Sequence, residues 1–239
     1  MTRLLTPEAR LSVRAADRDL VEEIRAGLRD VAVAEQAPQM QAYMKSELPY
    51  LGVRLPDVRI VMRAALKEHP PESFKTVGAT AALLWREAEF REERYAATAL
   101  TGLPVAQGHL ELMSLHREMI VTGAWWDHVD EVSHRVGAVL VAHPKKLSPL
   151  IREWSVDPDV WLRRSSVIVQ LGLKEQTDLV LLSDVILANA ADKDAFLRKA
   201  IGWALREYAR TDPAWVRDFV ATHEPVLSPL SRREALKRI

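Results

Sequence analysis

The segment TGAWWDHVDEVSHRV (residues 122–136) sets two indoles side by side and follows them with acids at Asp127, Asp130 and Glu131. On a helix, Trp126 and Asp130 share a face one turn apart, while Trp125 lines up with Val129 and Val132. An anion next to an indole suits the stabilisation of positive charge. A cation–π contact contributes about 0.5–2 kcal/mol per ring. A carboxylate ~4 Å from a developing cation contributes about 4 kcal/mol at an effective dielectric of ~20. Together these supply roughly three to five powers of ten in rate. Breaking a glycosidic bond passes through an oxocarbenium-like sugar cation. A purine alkylated on N3 or N7 is already positive and departs as a neutral base, so one anion suffices and no second carboxylate is needed.

The elements that must position these residues are helices. Glycine is scarce, at 9 of 239 residues, and no long segment alternates apolar and polar residues. Leu20, Ile24, Leu28 and Val31 form one helical stripe; Val160, Val167 and Leu171 form another, with Trp161 and Ile168 beside them. Pro38, Pro56 and Pro213 suit first turns, and Pro144 and Pro158 suit joins. The spans predicted are 17–33, 38–47, 56–68, 72–88, 90–101, 107–121, 124–142, 145–154, 158–173, 177–190 and 193–210, with short helices near 213–222 and 229–238. Joins are short, so the chain reads as a single domain over 1–239, in which residues 1–35 form an N-terminal helical extension of uncertain role.

Alternate helices repeat. Arg59, Arg94, Arg164 and Lys199 fall on a 35-residue grid, Val129 fills the missing slot, and Arg233 lies one residue short of the next. A period near this length with two helices per unit predicts an all-α, HEAT-like helical repeat solenoid, whose second helices line a concave wall. A cation at each slot would build a basic stripe there. Trp126, Asp130, Arg164 and Trp203 then fall on three consecutive wall helices. Each also has a plainer reading: Trp125, Trp126 and Trp203 as core rings, Asp130 as a solvated acid, and Arg164 as a structural bridge to Asp130.

Composition narrows the classes. Apolar residues make up 48% and charged residues 28%, as in a folded soluble chain. The absence of cysteine excludes disulfides, thiol catalysis and Cys-based zinc sites. The N-terminus lacks a signal-peptide run and no 18-residue apolar stretch occurs, so a cytoplasmic protein is expected, nucleoid-associated when on DNA. The formal net charge of zero argues weakly against nucleic acid unless charges are segregated. No Walker, Rossmann, G-x-S-x-G or H-E-x-x-H motif occurs, and the seven histidines lack ligand spacing. Neither metal nor cofactor is expected.

Five segments in order resemble the AlkD-type family of bacterial DNA alkylation-repair glycosylases: YMKSELPYLGVRLPDVR (43–59), IVTGAWWDHVD (120–130), DVWLRRSSVIVQL (159–171), FLRKAIGWALREYARTDP (196–213) and LSPLSRREALKRI (227–239). The resemblance runs from about residue 38 to the end. It implies a HEAT-like solenoid that cradles duplex DNA and excises cationic N3- and N7-alkylated purines without flipping the base into a pocket, as a monomer. By the same resemblance, Trp126 and Trp203 contact the lesion's deoxyribose. Asp130 stabilises the sugar cation and positions water, Arg164 grips a phosphate, and Tyr43 faces the lesion. Lys199, Arg206, Arg59 and Arg94 are the further DNA contacts expected. Two departures stand out. His128 falls where a small polar residue is commoner, with a charge expected to affect Asp130, and Ser165-Ser166 replaces small apolar residues. The alternatives are a non-catalytic DNA- or adduct-binding protein, a glycosylase specialised for bulky genotoxin adducts, and a protein scaffold.

Overall fold

Short polar residues mark where the helices begin. Asp17, Ser73, Asp159, Asp178, Asp194, Asp212 and Ser228 each accept a hydrogen bond from a backbone N–H two or three residues on, and each opens a helix. In the computed structural model, which describes residues 10–237 and 239, there are thirteen α-helices and no strand among the described residues. No helix among them is long and apolar enough to cross a membrane. The helices group into two compact units that divide between Met119 and Ile120.

The first unit holds α1 (Arg18–Asp30), α2 (Ala37–Met44), α3 (Leu55–Glu68), α4 (Phe74–Arg86), α5 (Arg91–Thr101) and the start of α6 (Met113–Gly123). Helix α1 packs on α3, α4 and α5, burying Leu20, Ile24 and Leu28. Residues 18–30 of the expected N-terminal extension are thus an integral helix of this unit, and its residues 1–9 lie outside the described residues. Val31 departs from its predicted stripe: the helix stops at Asp30 and Val31 is exposed. The buried Glu92 carboxylate accepts the backbone N–H groups of Leu51, Gly52 and Val53 at 2.9–3.1 Å, pinning the loop before α3 to α5.

The second unit holds α7 (Trp126–Ala142), α8 (Pro144–Trp154), α9 (Val160–Ile168), α10 (Leu179–Asn189), α11 (Ala195–Tyr208), α12 (Pro213–Thr222) and α13 (Pro229–Ala235). Helices α7, α9, α11 and α13 pack in sequence as one row; α8 and α10 pack together beside it, and α12 covers α11 and α13. That is the arrangement of stacked two-helix repeats. Pro144, expected in a join, is the first residue of α8. Helix α9 ends five residues before its predicted limit. Past it, the Gln170 carboxamide exchanges two hydrogen bonds with the Asp178 backbone, fixing the turn into α10. Val167, Ile168, Leu182, Ile186, Ile201, Leu205 and Val216 lie in the shared core.

Small residues set how closely the row packs. A Cβ on Gly137 of α7 would meet the Val169 carbonyl oxygen at 2.4 Å, and one on Gly202 of α11 would meet the Glu234 Cβ at 2.5 Å and the Ser231 carbonyl oxygen at 3.0 Å. Neither backbone oxygen can rotate away. Gly137→Ala is expected to destabilise the protein by about 1–3 kcal/mol through overpacking. In thermal denaturation its midpoint should fall by several degrees; an unchanged midpoint would show that α7 can slide on α9.

Candidate active site

The two adjacent tryptophans part because the backbone turns between α6 and α7. Ala124 takes a left-handed conformation (φ 40°), uncommon for a residue with a side chain. Trp125 follows in an extended conformation as the N-cap, and the helix begins at Trp126. Trp125 then meets Trp161 and Phe196, with ring centroids 5.9 and 5.3 Å away, and those two rings stand 5.1 Å apart. The three rings mark the starts of α7, α9 and α11. Trp126 takes the other direction and stays 37% exposed.

One turn further along α7, Asp130 is held by Arg164 of α9 through both carboxylate oxygens. Nε donates to Oδ1 at 2.7 Å and Nη2 to Oδ2 at 2.8 Å. The third nitrogen, Nη1, donates to the Phe196 carbonyl of α11 at 2.6 Å. One guanidinium therefore ties three helices of the row. Its side chain is 7% exposed and that of Asp130 is 17% exposed, so the carboxylate keeps an open edge. Beneath the pair, the Ser133 and Ser165 hydroxyls share a hydrogen bond at 2.9 Å. Asp130, Ser133 and Gly137 thus form the α7 seam against α9.

Trp203 lies on α11, half-buried, with part of its ring packed on the core of the second unit. Lys199 precedes it by one turn and is exposed. Arg206 is committed to Glu234 of α13 at 2.5 Å. In the first unit, Tyr43 is 75% exposed at the end of α2, and Arg59 is exposed on α3. Arg94 is half-buried with its guanidinium carbon 4.7 Å from the Trp85 ring centre, and desolvation by burial, then the charge of Arg91, hold its pKa below the usual arginine range.

The family sequence pattern described as DNA alkylation repair enzyme matches residues 24–239. The chain belongs to the DNA alkylation repair enzyme family. A predicted DNA alkylation repair enzyme from Enterococcus faecalis is similar in structure, with 31% identity and a TM-score of 0.75 over 86% of this chain and 95% of that one. No curated protein matches. The match begins at Ile24, so it takes in much of α1, ahead of the point near residue 38 where the sequence resemblance was placed.

For this member of the family, several sequence expectations change. The 35-residue grid does not build one basic stripe: Val129 is fully buried, Arg164 is buried in an ion pair, Arg94 is stacked on a ring, and Lys199 and Arg59 are exposed. The seam contacts explain why. Across successive row helices they join residues 34, 32, 32 and 33 apart, one to three short of the grid's 35, and each residue of offset rotates a position by about 100° around its helix. Arg164 makes the bridge to Asp130 that its plainer reading allowed. His128 sits two residues before Asp130 and is buried on the opposite side of α7, so it does not share the carboxylate's surface. Sequence reasoning missed the Trp125, Trp161 and Phe196 cluster. Its signal lies in the sequence as rings spaced 36 and 35 residues apart, a period carried by aromatic residues and not by charges.

A buried ion pair broken from one side leaves the other charge unpaired, at a cost of about 3–5 kcal/mol. Arg164→Ala is expected to lose about that much in urea unfolding. Asp130→Asn, whose amide oxygen still accepts one guanidinium N–H, should lose less. Equal, near-zero losses would show that the pair contributes nothing to the row.

Proposed function

We propose that the protein is a DNA glycosylase that removes cationic N3- and N7-alkylated purines from duplex DNA by hydrolysing the N-glycosidic bond. Membership in the DNA alkylation repair enzyme family supports the substrate class. The observation that carries the chemistry is the partly open Asp130 carboxylate, locked in orientation one turn from an exposed indole.

In this reading the C1′–N bond breaks with its electron pair leaving on the purine, whose positive charge is thereby cancelled. The sugar becomes oxocarbenium-like, Asp130 faces it, and Trp126 and Trp203 lie along the deoxyribose. A water attacks C1′ and gives its proton to the carboxylate or to solvent. The exposed Trp126 edge fits a lesion met at the surface without extrusion into a pocket.

The guanidinium changes the magnitudes. A lone carboxylate ~4 Å from the sugar contributes about 4 kcal/mol at an effective dielectric of ~20, and a guanidinium about 8 Å away opposes it by about 2 kcal/mol. The pair's net contribution is then about 2 kcal/mol, roughly 30-fold. The indoles, and above all the lesion's own charge, must supply the rest, which restricts the substrate to bases that leave unaided.

Incubation with duplex DNA bearing one N7-methylguanine should release the base and leave an abasic site. Asp130→Asn removes the attraction and keeps the opposing cation. It should cut the release rate at least tenfold with DNA affinity nearly unchanged. Wild-type DNA binding without release would favour a non-catalytic binding protein, and undiminished release by the variant would remove Asp130 from the chemistry. Release from a duplex carrying a bulky N3-adenine adduct would identify a protein adapted to large lesions.

A further inference from the structure

We infer that the second unit holds a binding site for a small aliphatic ammonium ion, in a cavity between the C-terminal ends of α9 and α11 and the start of α10. Its side chains take no part in the proposed reaction, so the site stands or falls independently of the glycosylase reading.

The cavity measures about 450 Å³, within the range of small-molecule sites. One wall is the turn between α9 and α10. The buried Gln170 carboxamide closes that turn, donating to the Asp178 carbonyl at 3.0 Å and accepting from the Asp178 N–H at 2.8 Å. Inside the turn, Gly172 and Lys174 take left-handed conformations, with φ of 80° and 52°. A Cβ on Gly172 would meet nothing within 4 Å, so the backbone there borders open space. The opposite wall is the face of α11 that carries Ala204, Glu207 and Tyr208. Trp215 stands at 89° to the Tyr208 ring, with centroids 5.4 Å apart, and fixes it. Both walls are therefore held by contacts outside the cavity, which keeps the ordering cost of binding low.

The charges around the cavity select a cation. Of the four charged residues that line it, Glu207 and Arg210 answer each other: Arg210 Nη1 donates to the two Glu207 oxygens at 3.0 and 3.3 Å, and the arginine side chain is 62% exposed, out on the rim. Glu175 has no ion pair among the described residues, and Lys174 is exposed on the turn. Burial, then the charges of Asp212 and Glu175, hold the Tyr208 phenol above the usual tyrosine range, so acids set the field at that hydroxyl. An ammonium carries three N–H donors, which suit the Glu175 carboxylate, the Tyr208 oxygen and the Thr177 hydroxyl, and the Tyr208 ring adds a cation–π surface. Its alkyl chain suits Val167, Leu171 and Leu182, the apolar part of the lining. An anion would have to settle beside the unpaired Glu175 with only Lys174, out on the turn, to attract it.

The test is titration calorimetry of the full chain at constant ionic strength, with n-butylammonium and 1,5-diaminopentane as probes, together with amide nitrogen–proton spectra that locate the site. The expected result is saturable binding of both amines, with shifts at the amides of Gly172, Thr177 and Thr211. Tetramethylammonium, which has the charge but no N–H donor, should bind at least fivefold more weakly than n-butylammonium. Glu175→Gln should weaken n-butylammonium at least fivefold, and Tyr208→Leu at least threefold. Glu175 is exposed on a turn, so if Tyr208→Leu does not fold, the glutamine variant decides alone. The inference is overturned if neither amine binds saturably, if Glu175→Gln keeps the wild-type affinity, or if the amines shift other amides and leave those three unmoved. It is also overturned if inorganic phosphate shifts the same three amides at lower concentration than the amines do, since the cavity would then be an anion site.

Discussion

The second unit is organised around one guanidinium. Arg164 joins α7, α9 and α11 through three hydrogen bonds of 2.6–2.8 Å, and all three partners are oxygens. Burying such a group is costly unless its donors are met, and an ion pair in this setting stabilises little in net terms. What it fixes is register. A fork donating to a carboxylate on one helix and a carbonyl on another has a single satisfactory position, whereas apolar side chains on a seam tolerate sliding. The neighbouring contacts agree with that register: the Ser133–Ser165 hydroxyls meet one turn on, and Gly137 leaves space for the Val169 carbonyl beyond them. The aromatic cluster of Trp125, Trp161 and Phe196 fixes the helix starts on the other side. Each such ring pair adds about 0.5–1.5 kcal/mol.

Much of this fold could be read from local signals. The caps Asp159 and Asp194, 35 residues apart, open α9 and α11, and the first-turn Pro213 opens α12 within the limits expected. What escaped local reading depends on partners distant in sequence. The early end of α9 comes from Gln170 reaching Asp178 across a turn, and no periodicity predicts that a carboxamide will replace backbone partners. The segment expected as one helix over 107–121 is instead a 3₁₀ turn at Leu110–Leu112 followed by α6, with Gly108 in a positive-φ conformation ahead of it. The division into two units leaves no compositional mark, because it follows from which helices touch.

The site shows the same split. The i, i+4 relation of Trp126 to Asp130 is a property of any helix, so it could be read directly. Arg164 could be assigned a face, but the choice between Asp130 and a phosphate as its partner stayed open. Its side chain is long enough to reach either solvent or the neighbouring seam, and only the 34-residue offset to Asp130 decides between them. The cation grid misled for a related reason. It assumed that equal spacing means equal environment, yet Val129 and Arg164, 35 apart, are a core residue and a clamp.

The turn before α7 explains why the paired indoles serve two purposes. In a continuous helix Trp125 and Trp126 would diverge by 100°, and both would remain on the helix surface. With Ala124 left-handed and Trp125 extended, the first indole is instead sent across the helix starts to Trp161 and Phe196. A left-handed alanine costs of order 1 kcal/mol, an amount the ring contacts offset. Because Phe196 both packs on Trp125 and accepts the Arg164 Nη1 hydrogen bond, the cluster and the clamp share a residue. The orientation of Asp130 and the placement of the helix that presents Trp126 are therefore set by one connected network. The groups proposed to face the sugar are aligned before any substrate arrives, which is the condition under which a fixed carboxylate lowers a barrier instead of relaxing toward the ground state.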